Sequence, residues 1–320
     1  MARFKQEENI KLPPRRSLWL LAGQRFIRSK KGMVCLIIIL VLYGAGILAP
    51  LVAPYHYDQQ NLNATLRPPS WEHPFGTDRL GRDLLSRIIY GVRTTVIVSV
   101  TAMVSGGLFL GIALGLISGY FGRLADSLIM RIGEVFLAFP DILLVILIAA
   151  TLKPRVVDWV RNLEQTAGIT GIIQSGMVDY LVVFGSLAIV SWVGMARVVR
   201  GQVLSLKQSQ YVLAARGLGA SHWRIIFHHI FPNLLPPIIV LLSVGMGSMA
   251  GAEVMLSWLG VGVQPPVPSL GAMIFDNGDM GTLRSNPSLL IFPVVTVAVI
   301  IFAFNLLGDA LNDALNPRAR

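Results

Sequence analysis

The sequence predicts an all-α polytopic membrane protein with six transmembrane helices. Of its 320 residues, 54% are hydrophobic and only 14% are charged, and the mean hydropathy is +0.65. A soluble domain carries far more charge on its surface. Crossing the hydrocarbon core takes about 20 apolar residues in a helix, and the chain contains several such runs. The net charge of +10 therefore indicates loop orientation, and we expect no nucleic-acid partner.

Six apolar runs have the length of a membrane span. They cover residues 33–53, 94–118, 127–152, 178–196, 234–260 and 288–311. The first run defines a transmembrane helix over 32–54, between a basic tail at 1–31 and an extracytoplasmic segment at 55–93. The other five form a core over 94–313, followed by a short tail at 314–320.

The distribution of Lys and Arg predicts that both termini are cytoplasmic. The tail before the first span carries nine of the 27 cations, and this arrangement places 18 inside and nine outside. The segment at 54–93 fits least well, because it holds five arginines, although four acidic residues accompany them. The single cysteine, Cys35, lies in an apolar run and cannot form an internal disulfide.

Glycines recur at every fourth position of the second span, which places them in one stripe on a helix. Such a stripe lets a neighbouring helix approach closely, and a shorter pair repeats it in the fifth span. The residues expected to serve helix packing are Gly107, Gly111, Gly115, Gly119, Gly247 and Gly251.

Residues 209–232, SQYVLAARGLGASHWRIIFHHIFP, form a basic, glycine-rich stretch between the fourth and fifth spans. Helix formers come first, two glycines follow, and a proline precedes the next apolar run. Small side chains would let another protein approach the backbone. We interpret residues from about 209 to 223 as a cytoplasmic docking helix for a soluble partner. The residues expected to contribute are Tyr211, Ala214, Ala215, Arg216, Gly217, Gly219, Ala220 and Pro232.

Two carboxylates lie deep in the predicted spans. Asp141 follows Pro140 in the third span, where it either caps a new helical turn or lines a cargo path. Glu253 lies inside the fifth span, where it either lines the path or hydrogen-bonds between helices. Arg131 and Glu134 have the spacing of an ion pair on one helix face.

No catalytic constellation or metal site is expected. The three histidines at 222, 228 and 229 are a poor zinc template, because no cysteine or acidic fourth ligand lies nearby. Residues 153–177 are expected outside the membrane, and apolar residues between Leu152 and Leu163 favour a short interfacial helix there. That segment either contacts a partner protein outside the membrane or is a neutral insertion.

Five long motifs occur in sequential order along the chain. They are GTDRLGRDLLSRIIYGVRTT (76–95), GLISGYFGRLADSLIMRIGEVFLAFPDILL (115–144), YVLAARGLGASHWRIIFHHIFPN (211–233), LGVGVQPPVPSLGAMI (259–274) and FNLLGDALNDALNP (304–317). Together they resemble one family, the permease subunits of ATP-binding-cassette importers for dipeptides, oligopeptides and nickel. The resemblance covers roughly residues 30–317 and is to the C-type partner of the permease pair.

The family's cytoplasmic coupling motif is matched at Ala214, Ala215, Gly219 and Pro232. Leu213 stands where that motif usually has a glutamate, so a charge contact at this position is not carried over. The resemblance implies a type I importer (MetI-like) permease fold in the bacterial plasma (inner) membrane.

It also implies the partners: a homologous second permease, two nucleotide-binding ATPase subunits, and an extracytoplasmic binding protein, with membrane lipid around them. The chain has no Gly-x-x-x-x-Gly-Lys-Ser/Thr loop. We therefore expect a non-catalytic subunit without a cofactor of its own, with ATP and Mg²⁺ bound by the ATPases. Peptide is the expected cargo, and nickel chelates or other small cargo are the alternative. The rival class is an autonomous ion-coupled secondary transporter, which would need inverted repeats and several buried ionisable residues.

Overall fold

A computed structural model describes residues 18–168, 170–173 and 175–316, and these ranges are built from helices and loops. Residues 1–17 and 317–320, which include much of the basic tail, lie outside them. The α-helices are α1 Leu18–Arg28, α2 Lys30–Ile47, α3 Ala49–Val52, α4 Leu84–Ala102, α5 Ile112–Phe121, α6 Arg123–Leu137, α7 Asp141–Ala167, α8 Met177–Leu206, α9 Gln210–Gly217, α10 His222–Arg224, α11 Phe231–Trp258, α12 Leu270–Asp276, α13 Met280–Ser285 and α14 Ser288–Leu315.

Two π-helical segments join α-helices into longer rods. Met103–Gly111 connects α4 to α5, and Ile225–Ile230 connects α10 to α11. Five rods in the described ranges are long and apolar enough to cross a membrane. They are Lys30–Ile47, Leu84–Phe121, Met177–Leu206, His222–Trp258 and Ser288–Leu315.

The third predicted span, over 127–152, is divided into two helices, and the sequence did not predict the angle between them. α6 and α7 meet at an angle of 93°, and the pair counts as a sixth span if its two parts are taken together. The break lies at residues 138–140 and ends at Pro140. Proline donates no backbone hydrogen bond, and it disfavours helical conformation in the preceding residue.

Other helices extend beyond the apolar runs. α4 begins ten residues before its predicted start because Asp83 caps it, with Oδ2 accepting a 2.7 Å hydrogen bond from the Ser86 amide. α7 continues to Ala167, so most of the segment expected as a separate interfacial helix is an extension of α7. A short helix, α1, precedes the first span and was not predicted from the sequence.

Two apolar clusters hold the bundle together. One joins α2, α4, α11, α12 and α14 around Leu84, Leu270 and Phe304. The other joins α5, α8, α9 and the Ile225–Ile230 segment that leads into α11, around Val203, Val212 and Ile225. This second cluster positions α9 relative to the spans.

The glycine stripe packs α5 directly onto α8. A Cβ atom added to Gly111, Gly115 or Gly119 would lie 2.6–2.7 Å from the Cβ of Met195, Val199 or Val203. Three glycines therefore let the two helix backbones approach closely.

The stripe changes register within the π-helical segment. Gly106, rather than the predicted Gly107, faces α8, where an added Cβ would lie 2.7 Å from the Ala188 Cα. Gly107 instead faces the Met103 side chain. A π-helical turn inserts one extra residue, which rotates the following face. The predicted pair in the fifth span, Gly247 and Gly251, faces Phe304 and Ile301 of α14.

Candidate functional site

The predicted docking segment forms the separate helix α9 and the turn that follows it. The helix ends with two hydrogen bonds, Ala220 N–H to the Ala215 carbonyl at 3.1 Å and Gly219 N–H to the Arg216 carbonyl at 3.0 Å. With Gly219 at φ +80°, this is a Schellman motif. Ser221 then caps the α11 rod, so the helix is shorter than the predicted 209–223.

One side of α9 is fixed to the protein and the other is open. Val212 is fully buried in the cluster around Ile225. Leu213 is 51% exposed and Leu218 is 90% exposed. The α9 surface, as we use the term, consists of the exposed residues Tyr211, Leu213, Ala214, Arg216, Gly217, Leu218 and Gly219.

Small residues surround the exposed Leu218. A Cβ added to Gly217 or Gly219 would meet no atom within 4 Å, so the space beside both backbones is open. Sequence analysis named the small residues but did not include Leu218. The sequence signal for an exposed Leu218 is its position between two glycines, because a leucine in a tight turn does not suit the core.

Polar contacts tie α9 and the turn to the end of α5. The Arg216 guanidinium lies 5.9 Å from the centre of the Tyr120 ring, a cation–π geometry. Tyr120 Oη hydrogen-bonds with His222 Nδ1 at 2.9 Å. Lys207 Nζ donates to the Gly119 carbonyl at 2.8 Å. The end of α5 therefore contacts α9, the start of α10 and the residue that follows α8.

An ion pair that the sequence did not predict links α6 to α8. Arg200 binds the Asp126 carboxylate through two nitrogens, with Nη2 at 2.6 Å from Oδ2. Ser118 at the end of α5 also donates to this carboxylate. The expected pair of Arg131 and Glu134 does not form: both side chains are exposed, and no ion pair joins these two described residues. The Asp126 carboxylate forms an ion pair because Arg200 lies opposite it on α8.

A second candidate region is a cleft of about 470 Å³ between α7, α8 and α11. Asp141, the first residue of α7, contributes a carboxylate to it, and the N-cap of this helix is Pro140 rather than Asp141. Ser191 and Ser248 add hydroxyl groups, and the remaining lining consists of apolar or glycine residues. The cleft thus has a single ionisable group in an apolar passage.

Glu253 does not line this cleft. Its side chain is completely buried in the chain, and it accepts hydrogen bonds from Thr95 Oγ1 at 2.7 Å and Ser257 Oγ at 2.9 Å. Thr95 belongs to α4 and Glu253 to α11, so the carboxylate joins two spans. Of the two interpretations that the sequence left open, these contacts favour hydrogen bonding between helices.

A third polar region precedes α4 in the motif GTDRLGRDLLSR. The Asp78 carboxylate accepts from the Leu80 and Arg82 amides, from Arg82 Nε at 2.7 Å, and from the Arg87 guanidinium. Burial raises the pKa of Asp78, but the two arginines and the Arg82 amide outweigh it, so the pKa lies below its usual value. Arg79 pairs with Asp279 at 3.0 Å. Three of the five arginines in the segment 54–93 are therefore paired with carboxylates.

Comparison with known families decides the class of the protein. The family described as the inner membrane component of binding-protein-dependent transport systems matches residues 111–320. The chain belongs to this family. The N-terminal transmembrane domain of oligopeptide transport permease C matches residues 17–69, so the first span is covered as well.

Three similar permeases align along almost their whole length. The dipeptide transport system permease protein of Alkalihalophilus pseudofirmus is 38% identical over 304 residues, which are 95% of this chain and 91% of the relative. The oligopeptide transport system permease protein of Bacillus subtilis is 37% identical with the same coverage. The glutathione transport system permease protein of Pectobacterium atrosepticum is 36% identical over 96% of this chain and 92% of the relative.

The permease is a multi-pass membrane protein that acts as a subunit of an ATP-binding-cassette importer, with ABC partner subunits.

Among residues 18–168, 170–173 and 175–316, no group of three or more His, Cys, Asp or Glu side chains is arranged to hold a metal ion. Pro232, which we expected at the docking surface, lines a separate cavity between α1, α11 and α14.

Proposed function

We propose that this permease forms half of the translocation path for dipeptides and oligopeptides and that ATPase subunits drive it through the α9 surface. The observation that carries this proposal is the exposure of Leu218 among small residues on a helix fixed by Val212. An apolar side chain at a protruding tip suits a pocket on a partner protein. The packing of α9 against the Ile225–Ile230 segment and the contact of Arg216 with Tyr120 provide the route by which a partner would move the spans.

The cleft beside Asp141 is our candidate for the path. A homologous second permease would close it, and an extracytoplasmic binding protein would deliver the cargo. The apolar lining with one carboxylate favours a permissive passage whose selectivity resides in the binding protein. Peptide is the proposed cargo because similar permeases are named for dipeptides, oligopeptides and glutathione.

Energy would come from two ATPase subunits that bind ATP and Mg²⁺. The chain itself has no phosphate-loop motif, and we assign it no catalytic role. ATP would favour one of two conformations of the complex and so shift their populations between outward-facing and inward-facing.

The proposed location is the bacterial inner membrane, with both termini and α9 in the cytoplasm and membrane lipid as the other contact. The excess of Lys and Arg in the N-terminal tail supports this orientation. The outer arginines are compatible with it because Asp78 and Asp279 pair with several of them. No nucleic-acid partner belongs to this function.

Reconstitution of the whole transporter tests the coupling role. Leu218→Asp should weaken co-purification of the ATPase subunits and binding-protein-stimulated ATP hydrolysis by at least about tenfold, because an unpaired carboxylate would be buried at the interface. Leu163→Asp on α7, where the leucine is 41% exposed, is the matched control and should leave both unchanged. Equal activity of the two variants would contradict the assignment.

Cargo is tested separately by uptake into proteoliposomes that contain the assembled transporter. We expect labelled dipeptides and oligopeptides to accumulate on addition of ATP. Uptake of a nickel chelate without uptake of peptides would replace the proposed cargo and leave the coupling role intact. Uptake driven by an ion gradient in the absence of ATPase subunits would instead support a secondary transporter.

A further inference from the structure

α1 presents three different sides, and each meets a different environment. Ala22 is buried and Phe26 is half-buried against the bundle. Leu20 and Ile27, seven residues apart and therefore on one side of the helix, are 64% and 67% exposed. Their side of α1 is apolar but has no protein neighbour among the described residues of this chain.

The third side of α1 is polar and basic. Gln24, Arg25 and Arg28 are all exposed, and Lys30 and Lys31 follow at the start of α2. A helix that packs one side on protein, exposes a second apolar side, and carries cations on a third has the pattern of an interfacial helix.

The connection to the first span places α1 at a membrane surface. Ser29 alone separates α1 from α2, and its hydroxyl caps α2 by accepting from the Gly32 amide. Since α2 is one of the membrane-spanning rods, α1 must lie next to the level at which that rod leaves the hydrocarbon core.

A cavity of about 540 Å³ lies beneath α1. Residues of three helices line it: Trp19 and Arg25 from α1, Pro232 and Pro236 from α11, and Leu315 from α14. Its size is that of a small-molecule site. One Arg25 nitrogen donates to the Asn316 carbonyl at 3.1 Å, and the guanidinium has further N–H donors.

We propose that α1 lies in the membrane interface and binds an anionic phospholipid at this cavity. The headgroup contacts Arg25 and Arg28, and an acyl chain enters the cavity. The other apolar side of α1, formed by Leu20 and Ile27, faces the surrounding membrane lipid. Charge complementarity selects the lipid: Arg and Lys side chains attract anionic headgroups at the cytoplasmic leaflet, and an apolar side selects a ligand with hydrocarbon chains. The site is distinct from the cleft and the α9 surface.

A fluorescent label on α1 tests this proposal in the full chain. Gly23→Cys is suitable because an added side chain meets no atom within 4 Å, and the native Cys35 is replaced by Ala. The labelled protein is placed in phosphatidylcholine bilayers that contain nitroxide-labelled phosphatidylglycerol or nitroxide-labelled phosphatidylcholine. We expect strong quenching by the first lipid and weaker quenching by the second.

Removal of cations should abolish the preference for the anionic lipid. Arg25→Gln with Arg28→Gln should lower the ratio of the two quenching constants by about fivefold or more. Arg28→Gln with Lys30→Gln, which keeps the contact between Arg25 and Asn316, should act in the same direction. The control pair, Arg123→Gln with Arg131→Gln on α6, should leave the ratio unchanged.

A label at Gly217→Cys on α9, also in open space, is the control for position and should show little quenching. The proposal is overturned if neither lipid quenches the label on α1, if both lipids quench it equally, or if the α1 cations can be removed without effect. Quenching that appears only after residues 2–16 are deleted would also overturn it, because the N-terminal tail would then occupy the site instead.

Discussion

Asp78 shows how a single residue can organise the loop before α4. Its side chain is 5% exposed, and its carboxylate contacts Arg82 and the nearly buried Arg87. A second pair nearby, Arg79 with Asp279, is more than half exposed on both sides. The two Asp–Arg pairs, one buried and one exposed, can therefore be compared directly. Exposed pairs contribute little to stability, whereas loss of one partner of a buried pair leaves an uncompensated charge.

We predict that Asp78→Asn destabilises the protein by about 3 kcal/mol, whereas Asp279→Asn, in an exposed pair, has little effect on stability. Because the pKa of Asp78 is lowered in the folded protein, its stabilising contribution is present above the unfolded pKa of about 3.9 and is lost as the pH falls through the lower folded value. Thermal unfolding in detergent as a function of pH measures both effects. An equal loss in the two variants would contradict the account.

The glycines of α5 give a second prediction at the scale of residues. Gly115→Ala places a Cβ 2.7 Å from Val199 Cβ and 2.8 Å from the Ala196 carbonyl oxygen, so the helices must separate. We expect a loss of about 1–3 kcal/mol. Gly201→Ala on α8 meets no atom within 4 Å and should stabilise slightly, since alanine favours helix over glycine. If Gly115→Ala and Gly201→Ala shift the melting temperature in the same direction, close packing of α5 on α8 does not determine the stability.

At the scale of elements, α9 depends on the backbone conformation of its last turn. Gly217 and Gly219 both border open space, but only Gly219 has a positive φ. An alanine costs roughly 1–2 kcal/mol in left-handed conformation, whereas within a helix it gains about 1 kcal/mol over glycine.

We therefore predict opposite effects of two similar substitutions. Gly219→Ala should accelerate amide hydrogen exchange in α9, and Gly217→Ala should slow it. Exchange in α14 serves as the internal reference and should not change. If both variants protect α9, the turn does not require the left-handed conformation that the Schellman motif implies.

The sequence predicted most of these elements because their signals are local. Apolar runs identified the spans, and the small residues of 209–223 indicated a helix in the loop. The bend in the third span was not predicted, because a hydropathy profile carries no information on direction: it continues across Pro140, although the helix axis turns by 93° there. Gly107 was predicted on the wrong face of the helix because one π-helical segment shifts the four-residue period of the glycines.

The site was less predictable because its geometry depends on contacts between distant segments. The sequence placed Arg216 in the docking stretch but did not indicate that it lies over Tyr120 of α5. It left two roles open for Glu253, and only the structure shows that Thr95 lies opposite and donates to it. Asp126 and Arg200 are 74 residues apart in the chain, and nothing in the spacing of either residue indicates the other.

At the scale of the whole molecule, the proposed function divides the permease into an outer rim, a cleft and an inner docking unit. The rim is held by ion pairs around Asp78, and the cleft lies beside Asp141. The α9 surface is connected to the bundle through Val212 and Tyr120. Since α9 packs against the Ile225–Ile230 segment and Arg216 lies over Tyr120 of α5, displacement by a partner would act on two spans together.

The measurement that tests the central claim most directly is cross-linking from the tip of the α9 surface. Leu218→Cys, in a background with Cys35→Ala, is combined with a bifunctional thiol reagent in membranes that contain the assembled transporter. We predict a cross-link to the ATPase subunit whose yield changes on addition of ATP, and no such link from Leu163→Cys on α7. If the thiol introduced by Leu218→Cys reacts freely with a membrane-impermeant reagent from the outside, and forms no link to the ATPase, the account is contradicted.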